Sequence, residues 1–427
     1  MSNINIHFSI YEHSLVIREN QLITRKFIVL KRNKKQIVAW TDFHKYIRSG
    51  KNKLAHKVSD DGNMRFYHVV KLLNYAFFEK YHIRRLTDIN VPIVKDFLND
   101  YGMGTLPGDT KTRTEDTVNV CIRHIIDFLE AFIEANPNKC AIRKKDLYKE
   151  QKVYSTRKRR METRKVPVFE VLYTSRPREI FRDMPDSVFS ILMNLIMEKH
   201  KDILMLAALG AFAGMRPSEC CNVRRNDSAL GPGIRFVLVD GEIEDIIIDL
   251  TEELNLRSDL KPVGAIKKER TQRVYPAFLK VFYECYQIYM DYMEGHKYEA
   301  DYGALTVNKQ GKAITYDNYY MKFRKVIEEL IPELLKCDDA EAVNYGHLLM
   351  EINISPHIFR HWFSVKLTLF GEDVAGLMYW RGDKSPESAL TYLQNKGELE
   401  KQYRKVNTEI FNYSLWKAGK LHNDDGF

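Results

Sequence analysis

Residues 186–213 run through Leu, Ile, Met and Ala with no internal breaker, and this stretch limits the folds open to the chain. A helix that is apolar on every side belongs in the middle of a domain, wrapped by other elements. Two consecutive core helices are expected there, with Met184-Pro185-Asp186-Ser187 as their entrance. The period then changes. Ile234-Arg235-Phe236-Val237-Leu238-Val239 and Ile246-Ile247-Ile248 read as strands. Helical patterning returns over 277–293, 315–335 and 360–370. The expected fold is mainly α with a small β-sheet lying between residues 233 and 276.

The upstream half reads as separate pieces. Residues 1–63 hold short β-branched and aromatic runs, Ile4-Asn5-Ile6-His7-Phe8, Leu15-Val16-Ile17 and Phe27-Ile28-Val29-Leu30, split by polar breaks. A small strand-rich N-terminal unit is expected, closed by Ser59-Asp60-Asp61-Gly62-Asn63. Over 64–138, Phe66, Val69, Val70, Leu73 and Phe77 line one helix face. Pro92 suits the first turn of a second helix. A third helix turns Val118, Cys121, Ile122, Ile125, Phe128, Leu129 and Phe132 inward, before Asn136-Pro137-Asn138 stops it. Residues 139–184 are expected to be a basic linker, and 185–427 a second large domain.

Charge decides what that linker is for. The chain carries 66 Lys and Arg against 57 Asp and Glu, a net +9. Residues 139–165 hold 12 of those cations and 3 acids, so this one segment accounts for the whole surplus. Arg157-Lys158-Arg159-Arg160 is its densest part. Such a run is either a solvated linker or a strap along a phosphate backbone. Other classes are disfavoured. No run of eighteen apolar residues is present, so no membrane span is expected. The first residues lack the pattern of a secretory signal. The six cysteines form no Cys-x-x-Cys pair and have no histidine cluster beside them, which argues against zinc and against a disulfide framework. A reducing, cytoplasmic setting fits. Neither a P-loop glycine motif nor an acidic metal cluster is seen, so nothing in the sequence points to a cofactor.

Four segments carry side chains suited to phosphodiester chemistry. Gly214-Met215-Arg216-Pro217-Ser218-Glu219 places Arg216 where Gly214 permits a tight turn and Pro217 opens a helix. Amide groups at such an entrance favour anions, and Glu219 can hold a neighbouring Arg. Lys267-Lys268-Glu269-Arg270-Thr271-Gln272-Arg273-Val274-Tyr275-Pro276 reads as a charged hairpin tip whose lysine could protonate a leaving 5′ oxygen, and either lysine could do so. His357 and Arg360 in Pro356-His357-Ile358-Phe359-Arg360-His361 share a helix face, joining a proton carrier to a bidentate phosphate donor. Tyr392 follows Arg381-Gly382-Asp383 and could be a covalent nucleophile, although the chain has 24 tyrosines and position alone does not select it.

In this order and spacing the four segments resemble the tyrosine recombinase (phage integrase) family. Gly214 to Glu219 resembles the family's first-arginine box, and Lys267 to Pro276 its lysine hairpin. Pro356 to Phe363 is similar to the His-x-x-Arg box. Gly382 and Tyr392, ten apart, match the final box and so select Tyr392. The likeness spans about 185–410, with 64–136 similar to the helical core-binding domain and 1–60 in the place of an arm-binding domain. The family position after Gly382 usually holds His or Trp, and here it is Asp383. Asp383 orients an Arg or His, or Trp380 or Arg381 fills the role, or the site is impaired.

The resemblance implies a mixed α/β catalytic domain in which Arg216 and Arg360 stabilise the phosphoryl transition state. It implies that His357 assists proton transfer, that Lys267 or Lys268 is the acid, and that Tyr392 forms a 3′-phosphotyrosyl link. It further implies double-stranded DNA as partner, a tetramer on two DNA sites, accessory DNA-bending proteins, and a role in a bacterial mobile element. The cations Arg157, Lys158, Arg159 and Arg160 would then cross the DNA backbone. Leu399, Tyr403, Val406, Ile410, Phe411 and Leu415 recur near helical spacing, for a terminal helix that either docks on a neighbouring subunit, as in this family, or packs on its own. Two other functions compete: an impaired DNA-binding regulator with this fold, and a type IB topoisomerase-like enzyme.

Overall fold

The computed structural model describes residues 6–18, 21–33, 35–47, 60–155, 160–174, 184–254, 257, 259, 261–296, 303–383, 386, 389 and 390. Tyr392, Arg157, Lys158, Arg159 and the terminal helix expected from Leu399 onward lie outside these residues. The chain divides into two compact units, Met1–Glu179 and Ile180–Phe427.

The first unit begins with an antiparallel sheet in the order β1-β2-β3, formed by β1 (Ile6–Arg18), β2 (Gln21–Arg32) and β3 (Gln36–Trp40). The runs around Ile6 and Leu15 fall in one strand, because pairing with β2 continues across the polar residues between them. Three helices follow: α1 (Asp60–Asn74), α2 (Val91–Met103) and α3 (Glu115–Ala135). Asn90 caps α2 by accepting from the Ile93 amide at 3.1 Å, and Pro92 occupies the first turn, where no amide is needed. The inward face of α1 is Val69, Leu72 and Leu73, while Phe66 and Val70 sit at its margin. His68 is also fully buried, its ring nitrogens within 2.9 Å of His124 Nδ1 and 3.0 Å of the Tyr101 hydroxyl.

Two expected boundaries dissolve in this unit. Phe8 and Ile28 of the sheet belong to the same apolar core as Val69, Phe97 and Phe128, so residues 1–63 do not form a core apart from 64–138. The sheet alone could not bury enough surface, and the helices supply the rest. The basic segment expected as a linker is folded as well. Ile142, Leu147 and Phe169 are buried in that core, and between them β4 (Tyr148–Ser155) and β5 (Arg160–Pro167) pair as an antiparallel ribbon.

The second unit is built on α4 (Asp186–Lys199) and α5 (Leu204–Phe212), the two helices of the apolar stretch. Every residue of α5 is buried, which is where a uniformly apolar helix must sit. A four-residue helix α6 (Pro217–Cys220) leads to the sheet β6 (Ile234–Val239), β7 (Glu242–Leu250) and β8 (Arg270–Arg273), ordered β6-β7-β8. Helices α7 (Leu279–Met293), α8 (Tyr316–Leu335), α9 (Ala340–Glu351), α10 (His357–Leu369) and α11 (Val374–Arg381) follow. Asp186 joins α4 to α10: Trp362 Nε1 donates to Oδ1 at 3.1 Å and Lys366 Nζ to Oδ2 at 2.5 Å, with Phe189 stacked on Trp362 at 3.8 Å. The fold is mainly α with small antiparallel sheets. No helix among the described residues is long and apolar enough to cross a membrane.

Candidate active site

The second unit gathers Arg216, Arg270, Arg360 and Arg381 around two carboxylates, Glu219 and Asp383. Arg360 comes from the first turn of α10, one turn along from His357. Its side chain is 2% exposed. Nη1 donates to the carbonyls of Gly214 and, at 2.8 Å, Arg381, and Nη2 donates to Asp383 Oδ1 at 2.6 Å. Arg216 approaches from the turn before α6, and its Nη2 reaches the same Asp383 oxygen at 2.6 Å. One carboxylate oxygen thus bridges two guanidiniums that are 144 positions apart in sequence. Arg381 Nε lies 3.2 Å from the other oxygen, Oδ2.

Glu219 organises the opposite side. It is fully buried and takes a bidentate pair from Arg270, at 3.1 and 2.8 Å, as well as Arg216 Nη1 at 3.3 Å. Burial alone would push its carboxyl up, but Arg270 and then Arg216 and Arg360 hold it below the usual range. Glu219 also accepts from the Arg216 amide at 3.2 Å. The helix-entrance amide expected to attract an anion is therefore already occupied, and α6 is only one turn long.

Two glycines allow the approach. Gly214 has φ +62°, and a Cβ there would meet the Phe363 ring at 2.4 Å. Gly382 ends α11 with φ +63°, and a Cβ would strike Arg270 Nε at 2.2 Å. A left-handed backbone strains any side chain at position 382, and Arg270, lying against it, would have to shift to admit one. Arg270 is further held by Gln272 Oε1 at 2.7 Å, and Gln272 donates to the Trp380 carbonyl at 2.6 Å. Strand β8 is thereby fastened to the end of α11.

Arg270 is the member that sequence reasoning missed, although it lies within the segment singled out for its lysines. Its signal was the i, i+2 pair Arg270 and Gln272, which shares one face of a strand. Lys267 and Lys268 lie in a bend immediately before β8, not at a hairpin tip, because the β7–β8 connection spans 251–269. Lys267 is exposed and Lys268 half-buried, and the Lys268 carbonyl accepts from Arg270 Nη1 at 3.0 Å. Ser218 Oγ anchors this connection to α6 through the Ala265 carbonyl at 3.0 Å. Trp380 packs its ring on Tyr275, with centroids 4.9 Å apart. Among the final-box residues, Ala389 is buried in the core and the Leu390 amide donates to the Pro386 carbonyl at 2.8 Å, one helical turn.

Electrostatics follow from this packing. Four guanidiniums face two carboxylates, a local surplus of two positive charges. Burial pushes Arg360 down to about 9, with Arg216 and Arg381 adding to the effect and Asp383 and Glu219 opposing it, so it stays charged at neutral pH. The same burial, then Arg360, Arg216 and Arg381, lowers His357 to about 4 against the pull of Asp383. His357 is consequently a neutral imidazole at physiological pH, able to accept a proton.

No family model and no curated protein matches this chain. Solved structures do. The chain is similar to XerH site-specific recombinase bound to difH substrate in its pre-cleavage complex, at 16% identity and TM-score 0.46, covering 78% of this chain and 76% of that one. It is also similar to the Tn1549 transposon integrase in complex with transposon right end DNA, at 14% identity and TM-score 0.49, covering 85% and 98%. XerA recombinase is similar at 14% identity and TM-score 0.33, covering 82% and 92%.

Proposed function

We propose that the protein is a site-specific DNA recombinase that cuts and rejoins duplex DNA through a 3′-phosphotyrosyl intermediate, for integration, excision or transposition of a mobile element. The observation that carries the reading is the convergence of Arg216 and Arg360 on one point, each 2.6 Å from the same Asp383 oxygen. Two guanidiniums that can share one oxygen can share a phosphate. The surplus of two charges suits the doubly negative phosphorane that forms when a phosphodiester is attacked by an oxyanion. Placed charge of this kind is the main source of rate enhancement in such reactions.

In the proposed step, the Tyr392 hydroxyl oxygen forms a bond to phosphorus while the bond to the 5′ oxygen breaks. Neutral His357 takes the tyrosine proton, and Lys267 or Lys268 gives one to the departing 5′ oxygen. Arg216 and Arg360 hold the non-bridging oxygens. The phosphoester is conserved in the phosphotyrosine, so a second DNA 5′ hydroxyl can reverse the step on a new strand. Asp383 acts here as a positioning residue. Its contacts to Arg216, Arg360 and Arg381 support the first of the three explanations for its presence. The basic segment with Arg157, Lys158, Arg159 and Arg160 would contact the DNA, and a tetramer on two sites would exchange strands.

Nicked duplexes spanning the ends of the protein's own element test the reading. Wild type should give a denaturation-resistant protein–DNA adduct, and Tyr392→Phe should give none. Site-specific binding without an adduct from either protein would overturn catalysis in favour of a DNA-binding regulator.

A further inference from the structure

The basic segment of the first unit has a shape that its sequence did not suggest. Strands β4 and β5 each have eight residues and pair in full register, from Tyr148 with Pro167 to Ser155 with Arg160. Eight residues extend roughly 26 Å. Lys149, Glu150, Gln151 and Lys152 are all exposed in β4, and Thr163, Arg164 and Lys165 in β5. Successive side chains of a strand point to opposite faces, so both faces of this ribbon meet solvent. A two-stranded ribbon with no apolar face is marginal in water by itself. Residues 148–167 carry eight Lys and Arg against two Asp and Glu.

The register divides these cations between the faces. Lys149 and Arg164 lie on one face, and Lys152 and Lys165 on the other. Lys149 pairs with Glu170 at 2.5 Å and Arg164 with Glu162 at 3.6 Å, but exposed pairs of this sort hold their partners weakly. Glu150 stands opposite Lys165.

We propose that the β4–β5 ribbon enters the major groove of duplex DNA, with Lys149 and Arg164 turned to one wall of phosphates and Lys152 and Lys165 to the other. A strap lying along a single backbone needs cations on one face only. A groove about 12 Å wide, walled by phosphates on both sides, admits a two-stranded ribbon and engages both of its faces. This placement rests on the reading of the protein as an enzyme acting on DNA.

The test uses the full chain, its Lys149→Gln/Lys152→Gln/Arg164→Gln/Lys165→Gln variant, and a control with Lys199, Lys309, Lys325 and Lys336, exposed in the second unit, changed to Gln. Binding to a mixed-sequence duplex of about 30 base pairs is followed by fluorescence anisotropy across a salt series. Each phosphate contact contributes about 0.9 to the slope of log affinity against log salt, so the ribbon variant, with four contacts removed, should lose about 3.6 and bind about tenfold or more weakly, while the control changes little. The same duplex methylated at guanine N7, on the major-groove floor, should bind wild type several-fold more weakly and affect the ribbon variant far less. An unchanged slope would overturn the ribbon as a DNA contact. A reduced slope with indifference to N7 methylation would overturn the groove placement and leave a backbone strap. Absence of any duplex binding by wild type would instead sink the recombinase reading itself, and the ribbon proposal with it.

Discussion

At the scale of residues, Asp383 is the most telling departure. A carboxylate among arginines proposed to bind phosphate would compete with the substrate, yet here it neutralises part of a crowded set of cations. Removing one partner of a buried charge pair costs about 3–5 kcal/mol, because the other charges are left uncompensated. Asp383→Ala should therefore slow adduct formation on nicked duplexes by about a hundredfold or more. Asp383→His should be impaired as well, since a neutral ring cannot bridge Arg216, Arg360 and Arg381, whereas Asp383→Asn keeps one acceptor oxygen and should retain more activity. Wild-type rates from Asp383→His would contradict the positioning role. His357 allows a second test. In the proposed reaction its neutral form accepts the tyrosine proton, and its ionisation is lowered to about 4 by burial and by the neighbouring arginines. Loss of that form thus begins well below the ordinary imidazole value. Single-turnover cleavage with subsaturating DNA should hold as pH falls through about 6.5 and decline only nearer 4, as expected for a free-enzyme base. A midpoint near 6.5 would point to a different acceptor.

At the scale of elements, the site depends on how α10 is held. Its first turn carries His357 and Arg360, and Asp186 fixes its later turns through Trp362 and Lys366, which is fully buried. Lys366→Ala would leave Asp186 with a buried, half-satisfied carboxylate. We expect it to destabilise the second unit by about 3–5 kcal/mol, read by urea unfolding through tryptophan fluorescence, and to weaken adduct formation in parallel. A loss below about 1 kcal/mol would mean that the pair behaves as a surface contact. The helices themselves were legible in advance, because an apolar stripe at helical period is a local property. The inward face of α1 was displaced by one step, to Val69, Leu72 and Leu73, because a polar residue, His68, could join the core once His124 and Tyr101 were there to satisfy it. Strands β4 and β5 had no such signal. A ribbon with two solvated faces shows no alternation of apolar and polar residues, and its charges read as a linker.

At the scale of the molecule, the sequence by itself determined a mainly helical chain with a small sheet in its second half, the single basic segment, and four motifs in a recognisable order. These are matters of period, composition and spacing, and all are carried along the chain. Tertiary structure decided what lies side by side. It merged residues 6–47 with the helices that follow, since Phe8 and Ile28 needed their apolar surface covered. It brought Arg270 against Gly382, and Arg216 and Arg360 onto one oxygen of Asp383. Segments so far apart in sequence meet only when the core between them closes. Burial then sets the charge balance and the protonation of His357, because the cost of a charge depends on its surroundings and not on its place in the chain.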